Sequence, residues 1–174
     1  MAGPSWQAHH GRPSSVRLSH GVLHYYFSGK SELITYCVRM YKAECVTRYD
    51  SIVATTDSAA ELKTAFGAAM AATLREHATL HRLWYDLRNQ SQFEEAFHAD
   101  ARHIDQSLER MIWRIVTRYA ELAGTSLAVN SAVAYAMFDG LFQHALISHL
   151  AGSPAAAPDL EDHVQRVLES LPTR

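Results

Sequence analysis

"IDQSLERMIWRIVTRYAELAG", residues 104–124, repeats apolar side chains at Ile104, Leu108, Met111, Ile112, Ile115 and Tyr119. Steps of three and four residues hold such side chains on one face of a helix, whereas a half-buried strand would alternate. Gly124 supplies the stop, because the left-handed residue that closes many helices suffers least strain when it lacks a Cβ. The turn-like run "NQSQFEE", residues 89–95, marks the other side, so the spacing predicts a long helix through about residue 122.

The same period continues in both directions and predicts an all-α fold. Upstream, Ser28 or Ser31 can cap a helix over about 30–50 that turns Leu33, Cys37, Met40 and Tyr41 inward. "TTDSAAE", residues 55–61, breaks it. A helix over about 58–77 follows, with Leu62, Phe66, Ala69 or Met70, and Thr73 or Leu74 on one face, then a shorter one near 79–89. Downstream, helices over about 127–150 and 159–171 flank "AGSPAAAP", a connector that permits only an antiparallel return. Their stripes are Val133, Met137, Leu141 and His144 or Ala145, and Leu160, Val164, Val167, Leu168 and Leu171. Such a pair completes a monomer core or pairs with its own copy.

With 174 residues and 48% hydrophobic content the chain suits one domain with a sizeable core. A formal net charge of −2 argues against non-specific coating of nucleic acid. The distribution is uneven. Residues 1–49 hold Arg12, Arg17, Lys30, Arg39, Lys42 and Arg48 against Glu32 and Glu44, a net +4, while the rest carries ten basic and sixteen acidic side chains, a net −6. Cys37 and Cys45, eight apart on one helix, would stand about 12 Å from each other, beyond disulfide reach. The start, "MAGPSWQAHHGRPSSVRLSH", has no apolar core of a signal peptide, and residues 127–150 are interrupted by Asn130, Asp139, Gln143 and His144. These features point to a soluble cytoplasmic chain.

"LSHGVLHYYFSGKSEL", residues 18–33, is of another kind. Ser19 can cap a short helix whose first amides and small Gly21 permit close approach to a phosphate or base edge. Leu23 and Phe27 turn inward, leaving His24, Tyr25 and Lys30 to face a polyanion as a recognition helix does. The run Ser19 to Leu33 resembles the end of the DNA-binding domain of TetR-type transcriptional repressors. Their usual order is serine, arginine, glycine, any residue, leucine, tyrosine, any residue, tyrosine, phenylalanine, two small residues, lysine, any residue, glutamate and leucine. His24 stands where the family commonly has tyrosine. "AMFDGLFQHAL", residues 136–146, resembles the family's penultimate helix, and "WYDLRNQSQFEEAF", residues 84–97, its regulatory segments. The likeness covers about residues 18–172.

The resemblance implies that Ser19, His20, Gly21, Val22, His24 and Tyr25 lie at or near the major groove of double-stranded operator DNA, with Tyr26 and Lys30 on phosphate. It implies a partial helix-turn-helix region over 1–48, irregular over 1–17, and a helical ligand-binding and dimerisation domain over 49–174. Family members place two further helices before this segment. Here eighteen residues precede Ser19, with Gly3, Pro4, Gly11 and Pro13 among them. The expectation is a truncated or misread gene start, the alternative a shortened protein, truncated to ligand binding and dimerisation, that no longer docks on DNA.

Other clusters are weaker. His77 and His81, at i and i+4, and the group His98, Asp100 and His103 each fall short of a zinc ligand set, and no cofactor is expected. Trp84, Tyr85, Phe93, Phe97, Trp113, Phe138 and Phe142, with His81, Arg88 and His144 as polar groups, are candidates for a pocket, where the family resemblance implies a small-molecule effector. Gly140 beside Asp139 costs a helix about 1 kcal/mol and suits a close helix–helix seam in a homodimer. The seam is expected to hold Val133, Met137, Gly140, Leu141, Val164 and Leu168. No nucleophile elbow, phosphate-cradling loop or catalytic carboxylate pair is recognisable, so no enzyme is expected.

Overall fold

The computed structural model describes residues 30–173, which form α1 (Lys30–Cys45), α2 (Asp50–Thr55), α3 (Ala59–Gln90), a 3-10 turn (Glu95–Phe97), α4 (His98–Ala123), α5 (Ser131–Leu150) and α6 (Ala156–Ser170). The chain divides into two compact units, Met1–Leu33 and Ile34–Arg174, and the helical bundle belongs to the second. The architecture is all-α, with no strand among the described residues and no helix there long and apolar enough to cross a membrane.

Local chemistry sets the helix ends. Ser58 accepts a hydrogen bond from the Glu61 amide while the Glu61 carboxylate accepts one from the Asp57 amide, a reciprocal pair that fixes the head of α3. Asn130 Oδ1 accepts from the Val133 amide and starts α5 at residue 131, later than its apolar pattern begins. Gly124 closes α4 at φ 64°, with its own amide on the Glu121 carbonyl and that of Thr125 on Ala120. The freed loop pairs with the chain's last residues: the Ala128 amide donates to the Leu171 carbonyl and the Thr173 amide to Ser126.

The expected break between the segments over 58–77 and 79–89 falls at His77, where φ −127° and ψ 19° leave the helical region and kink α3 into two helical stretches. One helix boundary differs from expectation. α6 begins at Ala156, ahead of residue 159, because Pro158 falls in its first turn, where a missing amide proton is tolerated.

Helix α1 is rotated relative to the expected face. Val38, Tyr41, Lys42 and Cys45 are buried, while Cys37 and Met40 face out and both cysteines are free. Arg114 of α4 fixes the end of this helix, donating to Asp50 Oδ1 and to the Val46 carbonyl.

The core runs through Leu62, Phe66, Leu74 and Trp84 of α3, Ile115 and Val116 of α4, Phe138 of α5, and Leu160, Val164 and Leu168 of α6. Phe66 sits edge-on between Tyr49 and Phe138, with ring centroids 5.1 and 5.6 Å away. α6 lies closest to α3. At the crossing a Cβ on Gly67 would come within 3.0 Å of the Glu161 carbonyl oxygen. Val164 and Leu168 are wholly enclosed within this protomer, so the expectation that they form part of a dimer seam is overturned: their stripe is the one that closes the monomer.

Candidate ligand cavity

A lysine lies inside the bundle. Lys42 is 3% exposed, and its ammonium donates to His81 Nδ1 at 3.2 Å. It lies 5.5 Å from the Trp84 ring centroid and 5.6 Å from that of Tyr41, within cation–π range. Helix geometry explains the position. Lys42 is four residues after Val38 and three before Cys45, on the face that α1 turns inward.

Lys42, His81 and Trp84 border a cavity of about 50 Å³ between α1, α3, α4 and α5. Tyr49, Met70, Leu108, Met111, Ile112, Phe138 and Phe142 make most of the remaining wall, with Tyr85, Tyr135 and Asp139 on the side of α5. Lys42 also borders an outer groove of about 310 Å³ between α1 and α4. A larger cleft of about 510 Å³ opens to solvent between α3, α4 and α5, and most of the residues that line it, Arg88, His98, Arg102 and Glu109 among them, are of charged or polar type.

Burial controls the electrostatics. It pushes the Lys42 ammonium down to about 8, against the raising influence of Cys45 and Asp139, and the nearby Arg48 and Arg88 push the same way as burial. His81 is driven down to about 2, by burial first and then by the charges of Lys42, Arg48 and His77, so its ring is neutral. An ammonium cannot accept, so His81 Nδ1 does and its proton resides on Nε2. That Nε2 and the indole Nε1 of Trp84 are buried with no hydrogen-bond partner among the described residues.

Asp139 organises the adjoining wall. Its carboxylate accepts from Tyr85 at 3.0 Å and from Arg88 at 2.5 Å. Tyr135 donates to Asp105, which also lies 3.8 Å from Arg88. Burial opposes the Arg88 charge, but the hydrogen bond and charge of Asp139 outweigh it and raise the guanidinium pKa. Burial and then Asp139 raise both tyrosines.

Five expected pocket residues meet at this cavity: His81, Trp84, Tyr85, Phe138 and Phe142. Arg88 stands behind it, holding Asp139. The others lie elsewhere. Phe97 is buried in the 3-10 turn, Trp113 packs half-buried on the outer side of α4, and His144 and Phe93 face out. Sequence reasoning missed Lys42, Tyr49 and Tyr135, and placed Met70 and Met111 only as core. The available signal for Lys42 was its register with Val38 and Cys45.

On α5 the expected seam residues Val133, Met137, Gly140 and Leu141 fall on or beside the outer face, with Ile147 and Leu150 further along it. Among the described residues, and apart from its chain neighbours and its own helix backbone, no heavy atom lies within 4 Å of where a Gly140 Cβ would stand. Ser19, His20, Gly21, Val22, His24, Tyr25 and Tyr26 lie outside the described residues; Lys30 opens α1, and its side chain is not described. An all-helical bundle enclosing a cation-bearing cavity is the class that fold and site define. Comparison with family models, with curated proteins and with solved structures finds no match.

Proposed function

We propose that the protein is a homodimeric, ligand-responsive, DNA-binding transcriptional regulator of the TetR type, acting as a repressor. The observation that carries this reading is the position of Lys42, a cavity wall residue on the helix that begins at Lys30, inside the run Ser19 to Leu33 that resembles the end of a TetR-type DNA-binding domain. A ligand that contacts Lys42 bears directly on α1. If it prefers one placement of that helix, it shifts the population toward that state by its difference in affinity. Two copies joined through the apolar outer face of α5 would present their recognition helices about 34–36 Å apart, one duplex turn, in the DNA-binding state.

A second reading, a helical ligand-binding and dimerisation protein without DNA affinity, draws support from the cavity and the α5 face, which involve no residue before Lys42. A gel shift of the full chain on the region upstream of its own gene, at low and moderate salt, separates the two. The regulator reading expects specific binding, and expects Lys30→Ala to weaken binding to every sequence and flatten the salt dependence by about one phosphate contact. Absence of duplex affinity at low salt leaves the second reading.

A further inference from the structure

Donors outnumber acceptors around the cavity. The Lys42 ammonium has three N–H groups and gives one to His81; no carboxylate pairs with it among the described residues. His81 Nε2 and Trp84 Nε1 add two N–H groups with no acceptor among the described residues. Asp139, a carboxylate that acts on Lys42, has one oxygen on Tyr85 and the other on Arg88. Buried donors without acceptors are costly to the fold, and a buried cation without a counter-ion more so. A ligand that brings two acceptor lone-pair sets and one negative charge removes both deficits.

The rest of the wall limits that ligand. Met70, Leu108, Met111, Ile112, Phe138 and Phe142 offer no polar side-chain partner except weak thioethers, and the hydroxyls of Tyr49, Tyr85 and Tyr135 are already engaged with Thr73, Asp139 and Asp105, so a tail beyond the head group is best apolar. A cavity of about 50 Å³ leaves room for a small head group and only a short tail. The flexible Met70 and Met111 are the side chains able to yield to a tail.

We propose that the cavity binds a small monocarboxylate, whose oxygens accept from Lys42 Nζ, His81 Nε2 and Trp84 Nε1 and whose short apolar tail lies against Met70, Met111 and Phe142. This rests on the ligand-responsive reading and adds the ligand's chemical class.

Calorimetric titration of the full chain with butyrate and benzoate, beside butyramide and benzamide, tests it. The acids should bind at least tenfold more tightly than the amides of the same shape. Lys42→Met should lose at least tenfold in affinity for the acids while its thermal midpoint stays level or rises, since an apolar chain of similar length replaces an unpaired buried cation. Trp84→Phe, which removes a single N–H, should weaken both acids severalfold; it decides the matter if Lys42→Met does not fold. The proposal is overturned if amides bind as well as acids, if neither acid binds, or if Lys42→Met keeps its affinity. Equal binding of amides that also release DNA would remove the carboxylate and leave the regulator reading standing; carboxylate binding with no effect on a gel shift would do the reverse.

Discussion

Lys42 occupies the register of a core residue, between Val38 and Cys45 on the inward face of α1, and its neighbours in the cavity include Trp84, Phe138 and Phe142. A lysine in a sequence reads as surface, because burying the charge alone is so unfavourable. That is why the aromatic half of the site was legible in the chain and its cation was not. His81 has the complementary difficulty. In sequence it pairs with His77 as half of a metal site, whereas in the bundle its ring turns one nitrogen to Lys42 and both rings pack against Tyr41. The neutral His81 makes stability depend on pH. Its folded pKa lies near 2 against about 6.5 unfolded, so below about pH 6.5 the unfolded chain binds a proton that the folded one refuses, and stability falls on acidification. Urea denaturation from pH 6.5 to 4.5 should show a slope about 1.4 kcal/mol per pH unit steeper for the wild type than for His81→Gln. An equal slope would mean that the ring titrates normally. Asp139 is the second residue with a sharp expectation. Asp139→Ala leaves the half-buried Arg88 with only Asp105, 3.8 Å away, and removes a carboxylate that acts on Lys42, and should lower stability by about 2 kcal/mol, while Asp139→Asn, which can still accept from Tyr85, should lose less.

At the scale of elements, periodicity carried most of the information. The stripe from Ile104 to Tyr119 is buried throughout, and Leu160, Val164, Leu168 and Leu171 close the bundle as one face. Less was readable where two residue classes compete for one helix. α5 is apolar on both sides: Phe138, Phe142 and Leu146 point inward while Val133, Ile147 and Leu150 stand exposed. Periodicity alone offers no means to tell which stripe closes the monomer, so the expectation for Val164 and Leu168 falls on the wrong surface. Gly67 shows a further limit, since nothing near it in sequence signals that α6 passes directly over it. Gly67→Ala gains about 1 kcal/mol in helix propensity, but its methyl meets the Glu161 backbone oxygen, which cannot rotate away. Overpacking of this kind costs about 1–3 kcal/mol, so a net loss of about 1 kcal/mol is expected in denaturant unfolding. A stabilised variant would mean that the two helices part without penalty.

For the whole molecule, the exposed apolar face of α5 and the bare backbone at Gly140 suit a second copy laid against the first. Ile147→Glu should weaken self-association at least tenfold in sedimentation equilibrium with little change in thermal midpoint, because that side chain is 63% exposed in the protomer. Gly140→Trp, with open space around it here, should do the same. A chain that is monomeric at high concentration before any substitution would dispose of the seam. The small antiparallel pairing of residues 126–128 with 171–173 bears on this surface as well, for it fastens the foot of α5 to the far end of α6. It works as a buckle. A protease that nicked the chain between Ser170 and Leu171 would open it and leave α6 held by Leu160, Val164 and Leu168, so the foot of α5 would be expected to loosen before the hydrophobic interior fails.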